Sequence, residues 1–265
     1  MLEQNTVKLG FIGFGNMARA MADGLLLKKA VRPEQIYACA KHYDKLCRNA
    51  QERGVNPCQD AKETAEKADM VIIAVKPYMV KEVIAPIAEI LQHKIIISVA
   101  AGISFEAYEE ILLPGTPHLS TVPNTPVAVG EGITICEDRH SLGDIDYKLF
   151  YDIFSSIGLV QHVDAKQLSV AGTISGCGPA LASMFIEALG DAGVLHGLSR
   201  DLAYQLASQM IAGTGKLQVV TGAHPGAMKD AVCSPGGSTI VGIATLEQRG
   251  FRGAVIDAID AIENR

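Results

Sequence analysis

The chain places a glycine-rich turn directly after its first apolar segment. Residues 13–18 read Gly-Phe-Gly-Asn-Met-Ala, follow an apolar run at 8–12 and open a helical pattern. A G-x-G-x-x-A turn between a strand and a helix is typical of dinucleotide-binding units, because the glycines permit a tight turn and a close approach of phosphate. The plain alternative is a structural tight turn. The predicted cofactor contacts are Ile12, Gly13, Phe14, Gly15, Asn16 and Met17.

Short apolar runs alternate with helical patterns over the first 163 residues. This alternation predicts a Rossmann-type α/β domain, with a doubly wound parallel sheet and crossover helices. The predicted strands are 7–12, 35–40, 70–75, 94–99, 118–122, 132–136 and 158–163. The predicted helices include 16–28, 43–53, 79–91 and 104–112.

From residue 164 onward the strand pattern is replaced by alanine-rich and leucine-rich helical patterns. The predicted helices are 165–174, 179–195, 199–221, 225–232, 238–249 and 251–263. We therefore predict two domains, a Rossmann-type domain at 1–163 and an all-helical domain at 164–265, joined through a helix. The second domain is rich in alanine and glycine and has few aromatic residues, which favours close helix packing against a second copy of the chain.

Composition limits the partners and the location of the protein. The net charge is −6 and there is no basic run, so neither nucleic acid nor an anionic membrane surface is an expected partner. The uninterrupted apolar runs are shorter than the roughly 20 residues that span a bilayer, and the polar start leaves no room for a signal peptide. We expect a cytoplasmic protein. The six cysteines lack C-x-x-C spacing, so we expect reduced thiols and no metal site.

The residues after the second predicted strand bear on the choice of cofactor. NAD-binding proteins usually carry an acidic residue there, for the ribose 2′-hydroxyl. This chain has Ala40 and Lys41 instead. The missing carboxylate removes a repulsion and Lys41 attracts a 2′-phosphate, so both residues are predicted contacts and NADPH is favoured over NADH. The alternative is that Asp44 binds the hydroxyl of NADH.

Two further strand ends carry candidate cofactor contacts. Ligands of doubly wound sheets bind at the carboxyl ends of the strands. A lysine at such an end suits a phosphate or ribose, and small residues allow a nicotinamide ring to approach; packing is the alternative for both. The candidates are Ala74, Val75, Lys76 and Pro77 after one strand, and Val99, Ala100 and Ala101 after the next.

Near the other end of the chain, residues 234–239 read Ser-Pro-Gly-Gly-Ser-Thr before a helical pattern. We call this segment the Ser-Pro-Gly-Gly loop. Its glycines let the backbone approach a ligand, and the free amides of the following helix start suit a small carboxylate. The alternative is an ordinary helix cap. The candidate substrate contacts are Ser234, Gly236, Gly237, Ser238 and Thr239.

Together these motifs resemble the pyrroline-5-carboxylate reductases, the last enzymes of proline synthesis. The resemblance rests on six segments that follow the family's order over nearly the whole chain: 11–18, 74–77, 98–102, 123–126, 175–180 and 232–239. It implies an NADPH-binding domain and a helical domain that interleaves with its twin into a dimer, often assembled into a decamer. It also implies reduction of 1-pyrroline-5-carboxylate to L-proline. Asn124, in the Pro-Asn-Thr-Pro segment, joins the implied cofactor contacts.

The resemblance also implies roles at the Ser-Pro-Gly-Gly loop. Ser234 and the backbone of 236–239 would hold the substrate carboxylate, and the Thr239 hydroxyl would lie close to the ring nitrogen as the catalytic group. A cyclic imine can take its proton from water, so no strong acid is required. The chain departs from the family's usual residues in three places. Ser120-Thr121-Val122 stand where an arginine is usual, Cys39-Ala40-Lys41 where a serine or an Asn-Arg pair is common, and Ala61 where an asparagine is common. These departures concern the cofactor preference more than the reaction.

Other functions stay open at this point. A β-hydroxyacid dehydrogenase uses a lysine on the interdomain helix, and residues 173–184 contain none. A general imine reductase and a non-catalytic NADP-binding protein are the remaining alternatives. Among the other polar residues, His93, His118 and His140 are expected to be solvated or to cap elements. Asp230 is a candidate for fixing the Ser-Pro-Gly-Gly loop.

Overall fold

The structure is a computed structural model that describes residues 6–264. The chain divides into two compact units, Met1–Gly176 and Cys177–Arg265. This boundary lies inside one long helical stretch, Ala165–Leu195, as expected of domains that join through a helix. The predicted division between 163 and 164 coincides instead with the end of the last strand, and it stays a prediction.

The first unit is built on an eight-stranded sheet with the order β3-β2-β1-β4-β5-β6-β7-β8. The strands are β1 Leu9–Ile12, β2 Ile36–Cys39, β3 Asn56–Pro57, β4 Met70–Ile73, β5 Ile95–Ser98, β6 His118–Pro123, β7 Gly132–Glu137 and β8 Gly158–Val163. All neighbours are parallel except β6 and β7, which are antiparallel. The Rossmann-type doubly wound fold is therefore confirmed, with one antiparallel step.

Helices cover both faces of this sheet. They are α1 Asn16–Leu27, α2 Tyr43–Arg53, α3 Ala61–Lys67, α4 Val80–Ile84, α5 Ala88–Leu91, α6 Phe105–Glu109, α7 Asp144–Phe154 and α8 Leu168–Gly172. Successive strand residues point to opposite faces. Phe11 and Ile72 accordingly join a core with α1, α2 and α7, whereas Ile12 and Ile73 join a second core with the helices from α3 to α6.

The second unit contains helices only, within the described residues. They are α9 Gly178–Leu195, α10 Arg200–Thr221, α11 Pro225–Ala231, α12 Ser238–Gln248 and α13 Phe251–Glu263. This confirms the all-helical prediction. The bounds of α13 equal the predicted ones. A π-helical turn, Thr173–Cys177, precedes α9 where a regular helix end was predicted.

The helical stretch Ala165–Leu195 is long enough and apolar enough, by length and composition, to cross a membrane. Its most apolar 18-residue window has a mean hydropathy of 1.3, and 11% of that window is buried within this chain. Small polar residues and glycines interrupt this stretch, so it does not appear as an uninterrupted apolar run in the sequence. An apolar helix that its own chain leaves uncovered has its apolar side available for a partner.

Candidate active site

The glycine loop, residues 13–18, connects β1 to α1. Gly13 has φ +96° and its amide donates a 3.0 Å hydrogen bond to the Cys39 carbonyl at the end of β2. A Cβ on Gly13 would lie 2.7 Å from the Ala74 carbonyl oxygen. Glycine at 13 is therefore required by the turn and by the close approach of the loop to β4.

Gly15 differs from Gly13 in what surrounds it. It is the N-cap of α1 with φ −80°, an ordinary value, and no atom lies within 4 Å of the position that a Cβ would take. No side chain caps the helix start. Internal packing gives no reason for glycine at this position, whereas a phosphate lying on the helix amides does. The cradle therefore fits the pyrophosphate of a dinucleotide.

The sheet brings the predicted cofactor residues to one edge. Ile12 pairs with Ile73, and Ile73 pairs with Ser98, so β1, β4 and β5 end at the same level. The segments that follow continue this alignment, since the Ala74 amide bonds to the Ile12 carbonyl at 2.8 Å and the Val99 amide bonds to the Ile73 carbonyl at 3.0 Å. Lys76 lies exposed just beyond, at the start of the turn Pro77–Met79.

A cavity of about 160 Å³ adjoins the glycine loop on the β2 side. Its described lining contains three cationic side chains, Arg19, Lys41 and Lys45, and no carboxylate; Asp44 does not line it. This composition favours a 2′-phosphate over the NADH alternative. The lining residues are Phe14, Gly15, Asn16, Arg19, Ala40, Lys41, His42, Lys45, Leu46 and Asn49.

Arg19 and Lys45 line this cavity but are not among the cofactor contacts predicted from the sequence. Lys45 lies in the first turn of α2, four residues after Lys41, and Arg19 lies in the first turn of α1, three residues after Asn16. The Arg19 guanidinium donates to the Asn16 Oδ1 at 2.6 Å, which holds it beside the glycine loop. A search for basic residues one turn into the helices around the cofactor loop finds both.

Asn124 is buried and its side-chain amide is used inside the protein. Its Nδ2 donates to the Ser175 carbonyl at 2.9 Å, and its Oδ1 accepts from the Ile133 amide at 2.8 Å. Ser175 belongs to the π-helical turn and Ile133 to β7, so the two bonds tie the end of β6 to that turn and to β7. These contacts indicate a structural role for Asn124, and its cofactor contact stays a prediction.

Ser98 connects the end of β5 to the segment at 99–101. Its hydroxyl lies 2.7 Å from the Tyr108 hydroxyl and accepts a 3.2 Å bond from the Ala100 amide. The Thr121 hydroxyl donates to the Ser98 carbonyl at 2.7 Å. Burial raises the pKa of Tyr108 to about 12, so the phenol stays neutral. The backbone predicted to face the nicotinamide is thus held by buried hydrogen bonds.

The Ser-Pro-Gly-Gly loop of the second unit leads into α12. Gly236 has φ +69°, which favours glycine, and the Gly237 amide donates to the Ser234 carbonyl at 3.0 Å. Gly237 is the N-cap, and no side chain caps the helix start. Neither Ser234 nor Ser238 therefore makes the side-chain bond that the ordinary-cap alternative requires. The first amides of α12 and the exposed Thr239 remain suited to a carboxylate.

Two expectations for other polar residues need correction or restriction. His118 is neither solvated nor a cap: it is 1% exposed, its ring stacks on Phe105 at 4.5 Å between centroids, and its Nδ1 lies 3.0 Å from the Thr116 carbonyl oxygen. The Asp230 carboxylate pairs with Lys229, and the Asp230 carbonyl accepts from the amide of Cys233, the residue before the loop, at 3.0 Å. The role of Asp230 in fixing the loop stays a prediction. Within residues 6–264 no cluster of three metal-ligating side chains occurs.

Comparison with known proteins places both units in one family. Residues 165–265 match the family model for pyrroline-5-carboxylate reductase dimerisation, and residues 8–102 match the model for NADP oxidoreductase, coenzyme F420-dependent. Two relatives named pyrroline-5-carboxylate reductase are 42% identical in Treponema pallidum, over 96% of this chain and 98% of the relative, and 37% identical in Escherichia coli, over 95% and 94%.

A solved structure supports the same assignment. The pyrroline carboxylate reductase of Plasmodium falciparum, crystallised with NADP bound, has a TM-score of 0.87 to this chain at 33% identity, and the match covers 98% of this chain and 97% of the other. Both relatives are more than 30% identical to this chain, and both matches extend over nearly its full length, including both units. The chain therefore belongs to the pyrroline-5-carboxylate reductase family.

Proposed function

We propose that this chain reduces the cyclic imine 1-pyrroline-5-carboxylate to L-proline with NADPH. Family membership supports the reaction. The observation that carries it for this chain is the presence of both halves of the required chemistry: an open glycine cradle at Gly15 and an uncapped helix start behind Gly237. A non-catalytic NADP-binding protein needs only the first of these.

For the cofactor, the proposed contacts are those of the glycine loop, the strand ends after β2, β4 and β5, and Asn124. The amides at the start of α1 bind the pyrophosphate, and Lys41, Lys45 and Arg19 bind the 2′-phosphate. NADPH supplies the hydride for the imine carbon. NADH lacks the 2′-phosphate and therefore forgoes the three cationic contacts, which makes it the poorer donor.

For the substrate, Ser234 and the backbone of 236–239 bind the ring carboxylate. The positive end of the α12 dipole adds to the hydrogen bonds of its first amides. The Thr239 hydroxyl, in the first turn of α12, bonds the ring nitrogen. Because the imine nitrogen can take a proton from water, the main work of these residues is to orient the ring.

The chain assembles through its helical part, and the finer assembly proposed is a homodimer that builds a decamer. The second unit supports this, because it buries few side chains by itself. Leu195, Val219 and Val220 are 81%, 74% and 73% exposed in the single chain. Apolar side chains exposed on this scale need a partner surface. We further propose that the domains are 1–163 and 164–265. The proposed location is the cytoplasm, and neither nucleic acid nor a membrane is a proposed partner.

A substrate comparison tests the proposal against the general imine reductase. Purified protein is supplied with NADPH and either 1-pyrroline-5-carboxylate or 1-pyrroline, the same ring without the carboxylate. We expect rapid NADPH oxidation with the first and a kcat/KM lower by about 10²-fold or more with the second, because charge-assisted hydrogen bonds are lost. Equal rates would indicate a general imine reductase, and binding without turnover would indicate a sensor.

A further inference from the structure

Two buried side-chain oxygens in the sheet have no hydrogen-bond partner. They are Ser120 Oγ in β6 and Glu137 Oε1 in β7, and with His140 Nδ1 they form the complete set of such atoms among residues 6–264. Glu137 is 0% exposed and Ser120 is 2% exposed. Leaving a buried polar group unpaired is costly, and more so when the group is charged, so a function or a mutual contact is expected.

The register places these two residues face to face. Thr121 pairs with Cys136 and Val122 with Ile135 in the antiparallel β6 and β7. One step back along the same ladder sets Ser120 opposite Glu137, with both side chains on the same face of the sheet. Ser98 is the partner of Ser120 on the other side, in β5. A row of three polar side chains therefore crosses the sheet beneath α6.

A line of hydrogen bonds runs from this row to the proposed nicotinamide backbone. Glu137 Oε2 accepts the Phe105 amide at 2.8 Å, at the first residue of α6. One turn later, the Tyr108 hydroxyl bonds to the Ser98 hydroxyl at 2.7 Å, and that hydroxyl accepts the Ala100 amide. Glu137 is thus the point where the sheet holds the helix that in turn holds residues 98–101.

We propose that the Glu137 carboxyl and the Ser120 hydroxyl complete their hydrogen bonding with each other, and that Glu137 is a positioning residue for the backbone at 98–101. Both forms of the carboxyl can bond Ser120 Oγ while accepting from the Phe105 amide, but the neutral form does so without the cost of a buried charge. The ionised carboxylate puts a buried charge at the same place and loosens α6. The inference rests on the proposed function, because it takes residues 98–101 to contact NADPH.

The charges around Glu137 set the sign of the pH effect. Burial raises the pKa of the Glu137 carboxyl and the nearby Glu106 adds to the rise, while the Phe105 amide, Arg139 and His118 oppose it. Glu106 and Arg139 form an ion pair at 2.5 Å with each other. The pKa of the Glu137 carboxyl is therefore higher in the folded than in the unfolded protein. The contribution of Glu137 to folding stability is fully present at pH values below the ordinary pKa of a glutamate, and it is lost as the pH rises through the folded-state pKa.

The test compares Glu137→Gln with the parent in two measurements over pH 5–9: the Kd for NADPH by fluorescence titration, and the Tm of the ligand-free protein. Glutamine mimics the neutral carboxyl, since its amide donates to Ser120 and its oxygen accepts from Phe105. Every other titrating group is the same in both proteins, so the difference between the two proteins is the signal. We expect the parent Kd to rise with pH by about threefold or more relative to the variant, with a widening Tm gap.

Four further variants keep the test decisive. Ser120→Ala alone and combined with Glu137→Gln should show non-additive Tm changes, as expected for contacting residues. Glu137→Leu should bind NADPH more weakly at every pH. Glu110→Gln removes an exposed carboxyl at the end of α6 that is not among the charges acting on Glu137, and it should keep the parent's pH dependence.

The outcomes separate the inference from the proposed function. Parallel pH profiles of the parent and Glu137→Gln, or additive effects of the Ser120 and Glu137 variants, would overturn the inference while the reductase activity stands. Failure of the parent to bind NADPH at any pH would overturn the proposed function and the positioning role together. The ligand-free Tm series would then still decide whether Ser120 and Glu137 form their hydrogen bond.

Discussion

A Cβ added to Gly13 would lie 2.7 Å from the carbonyl oxygen of Ala74, whereas a Cβ added to Gly15 would have no atom within 4 Å. The two glycines of one motif thus serve different purposes. Gly13 lets the loop pass against β4, and Gly15 keeps the helix start open. Substitutions at the two positions are expected to separate stability from cofactor binding.

Gly13→Ala should destabilise the fold by about 1–3 kcal/mol, because it combines a positive φ with a backbone collision. Gly15→Ala should cost less than about 1 kcal/mol of stability and raise the Kd for NADPH by about tenfold or more. Thermal denaturation and NADPH titration measure the two effects. A Gly15→Ala protein that binds NADPH like the parent would remove the phosphate cradle from the account.

Lys41→Gln and Lys45→Gln should each raise the Kd for NADPH by about tenfold and leave the Kd for NADH nearly unchanged, because each removes a charge-assisted contact to the 2′-phosphate. Lys62→Gln is the matched control, since Lys62 lies outside the cavity and faces Glu66 at 3.9 Å. Equal losses for both cofactors would place these lysines elsewhere than at the 2′-phosphate.

Thr239→Ala should lower kcat/KM by less than the roughly 10²–10⁴-fold associated with general acid–base residues, because water can protonate the imine. Thr239→Ser should recover most of the loss by restoring the hydroxyl. Thr245→Ala is the control on α12, where the Thr245 hydroxyl donates to the Val241 carbonyl at 3.0 Å. If Thr239→Ala has the activity of the parent, the hydroxyl plays no part in the reaction.

Ser234→Ala should raise the KM for 1-pyrroline-5-carboxylate more than it lowers kcat, because carboxylate binding is present in both the ground and the transition state. A side chain at Gly237 is a poorer test, since its Cβ would collide with Ser234 Oγ and distort the loop. Steady-state kinetics with varied substrate distinguish the two parameters. A fall in kcat with KM unchanged would assign Ser234 to the chemical step instead.

Val219→Glu should weaken the dimer, because it puts a charge on an apolar side chain of α10 that is 74% exposed in the single chain. Leu27→Glu, at a 59% exposed position of the first unit, is the control and should leave the assembly intact. Size-exclusion chromatography with light scattering reads the mass directly. An unchanged mass for Val219→Glu would place the subunit interface on another surface.

Most of the sheet was predictable because strands such as β1, β4 and β5 are short, fully buried apolar runs. The two-residue β3, Asn56–Pro57, was not predicted, because it is too short to show a pattern. The elements that went unpredicted have a physical reason. α3 buries only Thr64 and Ala65, so it shows little apolar period, although Asp60 caps it through the Glu63 amide at 2.8 Å, a detectable signal. The single helix predicted at 79–91 is interrupted at Pro86, which lies in the 3-10 turn Ala85–Ile87 between α4 and α5.

The candidate site was predictable where one short segment carries the chemistry, as at Gly13, Gly15 and the Ser-Pro-Gly-Gly loop. Contacts between segments distant in the sequence were not. Glu137 and Phe105 are separated by 32 residues, and Ser98 and Thr121 by 23. His118 looked like a strand-end residue bound for solvent, but α6 covers it and Phe105 stacks on it. No local pattern reports such a covering helix.

The measurement that tests the central claim most directly is the rate of cofactor oxidation by purified protein with 1-pyrroline-5-carboxylate, using NADPH and NADH in parallel, with L-proline quantified at the end. We predict oxidation that depends on the imine, one proline formed for each NADPH consumed, and a higher kcat/KM for NADPH than for NADH. NADPH that binds without being oxidised, or oxidation without proline, would contradict the account.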